Sequence, residues 1–168
     1  MAEELEPEDP FKKGAVVEVS FEDEGFRGSW YSATVLRTVS KKNKKIFLEF
    51  HNLMADDKGT KPLREFIDII LVRPVPPREP KRSFKLSEEV DAFHNDGWWE
   101  GVVTHVLEGS STRYSVFFRS SREQIEFQDS DLRLHREWVH GNWVPPFQEP
   151  PLEHQEPPLE HQEPPPPS

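Results

Sequence analysis

Two stretches of this chain read alike, and that duplication limits what it can fold into more than any other feature. Val17–Val35 reads VEVSFEDEGFRGSWYSATV, and Val90–Val103 reads VDAFHNDGWWEGVV. Val17 matches Val90 at an offset of 73, and Trp30-Tyr31-Ser32-Ala33 matches Trp98-Trp99-Glu100-Gly101 at 68. Phe50 matches Phe118 at that same 68, so twenty residues separate the Trp and Phe anchors in both copies. Further on, Phe66-x-Asp68-x-x-Leu71 aligns with Phe127-x-Asp129-x-x-Leu132 at 61. The offset changes only where loops fall. Two copies are too few for a solenoid, so the pattern is that of a duplicated domain.

Each copy is built from strands. In the first, they are expected at Ala15–Phe21, Trp30–Thr38, Lys45–His51 and around Phe66–Val72. The third alternates cleanly, with Ile46, Leu48 and Phe50 on one face and Phe47 and Glu49 on the other. In the second, the expected strands are Glu89–Phe93, Trp98–Val106, Arg113–Phe118 and a region near Glu123–Phe127. Asn95-Asp96-Gly97 between two apolar runs is a hairpin signal, with Gly97 expected to take the positive φ of the turn. Alternation sends Trp98 and Trp99 to opposite faces, so one of them is left near the surface.

The segment Pro74–Lys81, PVPPREPK, can continue neither sheet nor helix and reads as a stiff connector. The resulting organisation is an acidic, disordered amino end over 1–10, a first domain over 11–74, a linker over 75–81 and a second domain over 82–144. A disordered Pro/Glu-rich repeat tail over 145–168 completes it. A domain of about 60 residues has a marginal core alone, so pairing of the two within a monomer is expected.

The net charge of −10 is misleading until it is mapped. All 21 Lys and Arg lie within 11–144, so the acidic excess sits in the two ends and the body is formally neutral. That is not the basic excess of a dedicated nucleic-acid binder. Cysteine is absent, which removes disulfides, thiolate chemistry and Cys-based zinc spacing and fits a reducing compartment. There is no signal-like amino terminus, membrane-length apolar run, HExxH, GxSxG or phosphate loop. No enzyme, metal or cofactor is expected.

The pattern of acidic-apolar strand, short acidic turn, Gly-Trp-Trp-x-Gly and Val-rich strand resembles the plant Agenet domain, a branch of the Tudor-like, or Royal, barrels. The resemblance is to a tandem Agenet protein and covers residues 11–144. It implies an all-β fold of two tandem small Tudor-like antiparallel β-barrels. It also implies a nuclear chromatin reader that binds a methylated-lysine histone tail, most plausibly histone three, in an aromatic cage. Carried onto this chain, the cage falls on Phe21, Tyr31 and Phe50 in the first domain. The second candidate cage is Phe93, Trp99 and Phe118. Trp30 and Trp98, on the other strand face, are expected to serve as core or interface. Methylation removes hydrogen-bond donors and spreads charge, so ring faces with a nearby acid replace water well. Glu22, Asp23, Glu24, Asp56 and Asp57 make the first domain the preferred site for a basic peptide.

Two alternatives stay open. One is RNA binding through Lys41, Lys42, Lys44 and Lys45, with Arg78, Lys81, Arg82, Lys85, Arg113, Arg119 and Arg122. The other is a protein-interaction adaptor using exposed aromatics and the PPLEHQE repeats, independent of methylation.

Overall fold

A computed structural model describes residues 9–23, 28–80 and 82–147. The expected disorder of 1–8 and 148–168 therefore lies outside the described residues, as do Glu24 and Lys81. The described chain is built of strands, with short 3-10 turns at Ile69–Leu71 and Asp129–Asp131. It divides into two compact units, residues 1–135 and 136–168.

The first unit holds both repeats. The first repeat supplies β1 (Val16–Val19), β2 (Ser29–Arg37), β3 (Lys45–Met54), β4 (Pro62–Asp68) and β5 (Val72–Pro74). The second supplies β6 (Glu89–His94), β7 (Gly97–Leu107), β8 (Arg113–Phe118), β9 (Glu123–Gln128) and β10 (Leu132–Leu134). Each repeat is an antiparallel meander in which the short last strand returns to the first, β5 on β1 and β10 on β6. Period-two alternation puts Val17, Val19, Tyr31, Ala33, Val35, Ile46, Leu48 and Phe50 into the first core. Phe84, Val90, Ala92, Val103, Tyr114, Val116, Phe118 and Phe127 fill the second.

The strand pairings give the true repeat register. Ile46 faces Ile67 and Tyr114 faces Phe127. Val19 faces Val72 and Ala92 faces Leu132. The last segment therefore aligns Ile67 with Phe127 and Arg73 with Arg133, one residue away from the alignment built on Phe66 and Phe127. The visible Phe was the wrong anchor, because Phe66 points out of its barrel while Phe127 points in.

The repeats join through a seam. β2 pairs with β7 at Ser29–Trp99 and Trp30–Trp98, so Trp30 lies opposite its own counterpart, as a local two-fold requires. Around the seam are Glu18, Arg73 and Asp91, each 2% exposed or less. Arg73 donates Nε and Nη2 to Glu18 Oε1 at 3.0 and 2.9 Å. From the second repeat, Arg133 donates to both Glu18 oxygens at 2.6 and 3.0 Å and through Nε to Asp91 at 3.0 Å. His135 Nδ1 lies 2.7 Å from Asp91 Oδ1. The guanidinium of Arg73 sits 3.7 Å over Trp30, and that of Arg133 sits 4.2 Å over Trp98. Each arginine is thus clamped between a carboxylate and an indole face. Burial pushes the Asp91 carboxyl up, but the His135 bond and the charges of Arg133, His135 and Arg73 outweigh it, and its pKa falls below the usual range.

The turns correct one expectation. In the β6–β7 hairpin the positive φ values belong to Asn95 (48°) and Asp96 (65°), a two-residue type I′ turn. Gly97 is instead the first, buried residue of β7, and a Cβ there would meet Tyr31 Cε1 at 2.9 Å. The two repeats also share an entry turn. Gly14 (φ 88°) donates to Val35 O, and Ser87 (φ 70°) donates to Val103 O.

The second unit contains the β-hairpin of β11 (Glu137–Val139) and β12 (Asn142–Val144), closed by another positive-φ pair, His140-Gly141. Trp138 and Trp143 are cross-strand partners with centroids 5.0 Å apart. Phe147 packs on Trp143 at 6.3 Å and carries the Arg136 guanidinium 3.9 Å above its ring. Arg136 also donates to the carbonyls of Pro145 and Pro146.

Removing one member of a buried ion network strands its partners without compensation. Glu18→Ala is expected to lower stability by about 3–5 kcal/mol in a urea titration. Ser87→Gly relieves a left-handed backbone and is expected to raise stability by roughly 0.5–1 kcal/mol in the same assay.

Candidate functional site

The fold brings Phe21, Tyr31 and Phe50 together at one end of the first barrel. Phe21 follows β1, Tyr31 lies near the start of β2 and Phe50 lies in the second half of β3. The Phe21 ring meets Tyr31 edge-on at 5.8 Å and stacks on Phe50 at 5.6 Å. Tyr31 and Phe50 are buried, while Phe21 is half-buried at the mouth.

The fourth ring comes from the other repeat. Trp99 meets Tyr31 edge-on at 6.4 Å and packs against both cores. This follows from the seam: Trp99 pairs with Ser29, so its indole reaches over the neighbouring barrel. The β6–β7 turn arrives beside it, with Gly97 against the Tyr31 ring. Burial raises the Tyr31 pKa above its ordinary value of 10.0, a hydrogen bond with Ser29 opposes the rise, and the nearby Asp96 carboxylate adds to it. A second-repeat acid therefore lies at the first-repeat cluster.

The proposed acidic flank is only partly placed there. Glu22 and Asp23 are exposed directly after Phe21. Asp56 holds its own loop, accepting from the Thr60 hydroxyl and from the amides of Thr60 at 3.0 Å and Lys61 at 2.9 Å. These bonds, the Thr60 hydroxyl first, lower its pKa. Asp57 is exposed in the same loop.

The second candidate cage is not assembled as expected. Phe93 is 42% exposed and packs at 5.3 Å on Trp98, its direct cross-strand neighbour. That puts it on the opposite face from Trp99, whose cross-strand partner is Ala92. The strand register instead makes His94 the counterpart of Phe21. His94 stacks on Phe118 at 6.2 Å and meets Phe127 at 6.0 Å. With Trp99 engaged at Tyr31, the second barrel presents a histidine-capped pair of phenylalanines. The offset of 73 already predicted this, since 21 plus 73 is 94; the aromatic at 93 concealed it.

These features define two small antiparallel barrels fused across one seam, with an aromatic cluster and an acid at their junction. The family profile of the Agenet domain matches residues 14–77 and 87–149, and the chain belongs to the Agenet family. An Arabidopsis thaliana protein described as AGENET DOMAIN (AGD)-containing P1 is 50% identical over 145 residues, which is 82% of this chain and 28% of that protein. Another from the same plant, DUF724 domain-containing protein 3, is 37% identical over 137 residues, covering 80% of this chain and 19% of the relative. The chain thus spans under a third of these relatives' lengths. Among solved structures, the AGD34 segment of Arabidopsis thaliana AGDP1 superposes with a TM-score of 0.73 at 38% identity, over 83% of this chain and 90% of that one. The tandem Agenet domain 3-4 of ADCP1 gives 0.69 at 36% identity, over 83% and 88%. The fold is therefore a Tudor-like tandem, and Agenet domains form a family of protein-interaction modules rather than enzymes.

Gly97→Val should push the second repeat off Tyr31, and a loss of about 1–3 kcal/mol is expected from such overpacking, read by denaturation. Tyr31 ionises more readily in the unfolded chain, so its burial stabilises the fold below pH 10 and that contribution fades as pH rises through the raised folded value. Tyr31→Phe should flatten this alkaline loss in a stability-versus-pH series.

Proposed function

We propose that this protein reads a methylated lysine in a basic peptide, the tail of histone three being the best-fitting partner. The observation that carries the reading is the cluster of Phe21, Tyr31 and Phe50 with Trp99 and Asp96 delivered from the second repeat. Ring faces and one carboxylate are what a methylated ammonium needs, because it has lost donors to water but kept its charge. Phe21 stacks on Phe50 at 5.6 Å, which leaves no room for a cation between them. Binding therefore requires Phe21, the half-buried member, to swing outward while Tyr31, Phe50 and Trp99 stay fixed. Glu22 and Asp23 beside it attract the peptide's basic flank. Such a ligand lies in the nucleus, and the proposal carries that location with it.

The test is a titration of the full chain against histone peptides that differ only in lysine methylation, at two salt concentrations. Methyl-dependent binding that weakens only moderately with salt is expected. Each desolvated ring is worth about 2 kcal/mol to a caged cation, so Tyr31→Ala and Trp99→Ala should each cost about tenfold or more. Unchanged preference in a folded Tyr31→Ala protein would sink the proposal. An unchanged preference in folded Trp99→Ala would remove only the contribution of the second repeat.

A further inference from the structure

At the opposite end of the first barrel the chain carries a second surface that the aromatic cluster does not use. The β2–β3 turn presents Lys41, Lys42 and Lys44, all exposed. The turn is not loose. Ser40 N–H donates to Lys45 O at 2.9 Å, Lys44 N–H to Ser40 O at 2.8 Å, and Lys45 N–H to Asn43 Oδ1 at 3.1 Å. Next to it, alternation turns Lys45 and Phe47 outward from the strand that buries Ile46 and Leu48. Phe47 faces Phe66 across the β3–β4 ladder with ring centroids 4.5 Å apart. Arg37 lies 5.3 Å over Phe47, and Phe66 remains 54% exposed.

Acids on this face are already engaged. Glu49 is held by Arg64 at 2.7 Å, and Asp68 accepts the Ile70 amide at 3.1 Å. The remaining character is an exposed ring face bordered by cations.

A cross-strand aromatic pair also stabilises a sheet by itself, and the second repeat shows whether the fold needs one. There the paired positions are Ser115 and Glu126, and the turn is Gly109-Ser110-Ser111. The same barrel closes without rings and without lysines. The patch is therefore an addition to the first repeat rather than a requirement of its architecture.

We propose that this face binds single-stranded nucleic acid, with Phe66 stacking an unpaired base and the lysine turn tracking the phosphates. A duplex keeps its base faces stacked inside and offers the ring nothing, whereas every unpaired base has a π-face. Arg37 over Phe47 adds a further cation at the ring pair. The site is independent of the methyl-lysine reading, because it sits at the other end of β2 and β3.

The experiment measures fluorescence anisotropy of the full chain with labelled 12-nucleotide single-stranded RNA, single-stranded DNA and a 12-base-pair duplex, at 50 and 200 mM salt. Binding of one or both single strands in preference to the duplex is expected. If only one binds, that one is the natural source. Phe66→Glu copies the residue of the second repeat and should fold; it is expected to lose at least about fivefold in affinity. Glutamate at Lys41, Lys42 and Lys44 should reduce the salt slope by about two, at roughly 0.7 for each phosphate contact on a single strand. Near-UV circular dichroism confirms folding of both variants. Equal affinity for the duplex, an unmoved Phe66→Glu, or binding of no nucleic acid would overturn the assignment. Histone-peptide binding by either variant should be unchanged, so the two proposals fail separately.

Discussion

The ion network of Glu18, Arg73, Asp91 and Arg133 is the constraint on which the rest of this structure depends. Four charged groups lie at the junction of two barrels, and Glu18, Arg73 and Asp91 are almost wholly shielded from water. Such groups tolerate burial only when every charge is matched and the remaining donors are bonded. That condition fixes the seam at one register. A one-residue slip of β2 against β7 would take Trp30 off its counterpart Trp98 and draw the Arg133 guanidinium away from Glu18 across the seam. Burial lowers the Arg73 pKa, and the neighbouring Glu18 and Asp91 oppose that shift. Because Asp91 is held below the usual carboxylate range, its contribution is complete at neutral pH and fades only as acid titrates it.

Duplication supplies the network almost by symmetry. Glu18 and Asp91 occupy the same repeat position, as do Arg73 and Arg133, and each Trp pairs with its counterpart. The symmetry stops at the adjacent residue, where Tyr31 in one repeat is Trp99 in the other. Because the seam is antiparallel, Trp99 is carried to the neighbouring barrel and completes the aromatic cluster there. The opposite end of β6 bears His94 where Phe21 stands in the first repeat. One repeat thus carries the aromatic cluster, and the other lends it a ring, a carboxylate and a close-packed glycine. A barrel taken alone would lack half of that junction.

The outer face of the first barrel diverged in the same way. Phe47, Phe66 and the lysine turn stand where the second repeat has Ser115, Glu126 and a Gly-Ser turn. The inward positions are constrained by packing and stay apolar in both copies. Outward positions are under no such constraint, and here they differ between the two copies.

Much of this was legible from residues alone. The two strand-rich repeats and the shared face of Ile46, Leu48 and Phe50 follow from matched spacing and period-two alternation, the reading of a connector follows from its prolines, and the grouping of Phe21, Tyr31 and Phe50 follows from the resemblance to Agenet domains. The buried network also has a sequence signature: an acid between apolar neighbours in Val17-Glu18-Val19 and again in Val90-Asp91-Ala92, with an arginine answering in Val72-Arg73 and Leu132-Arg133. What tertiary structure alone decided was direction and partnership. It turned Phe66 outward and Phe127 inward, put Phe93 on Trp98, gave Gly97 to Tyr31 instead of to a turn, and sent Trp99 across the seam. Sequence fixes the alternation of a strand but not which face is buried, because that choice belongs to the surface brought against it, and here that surface comes from residues far away along the chain.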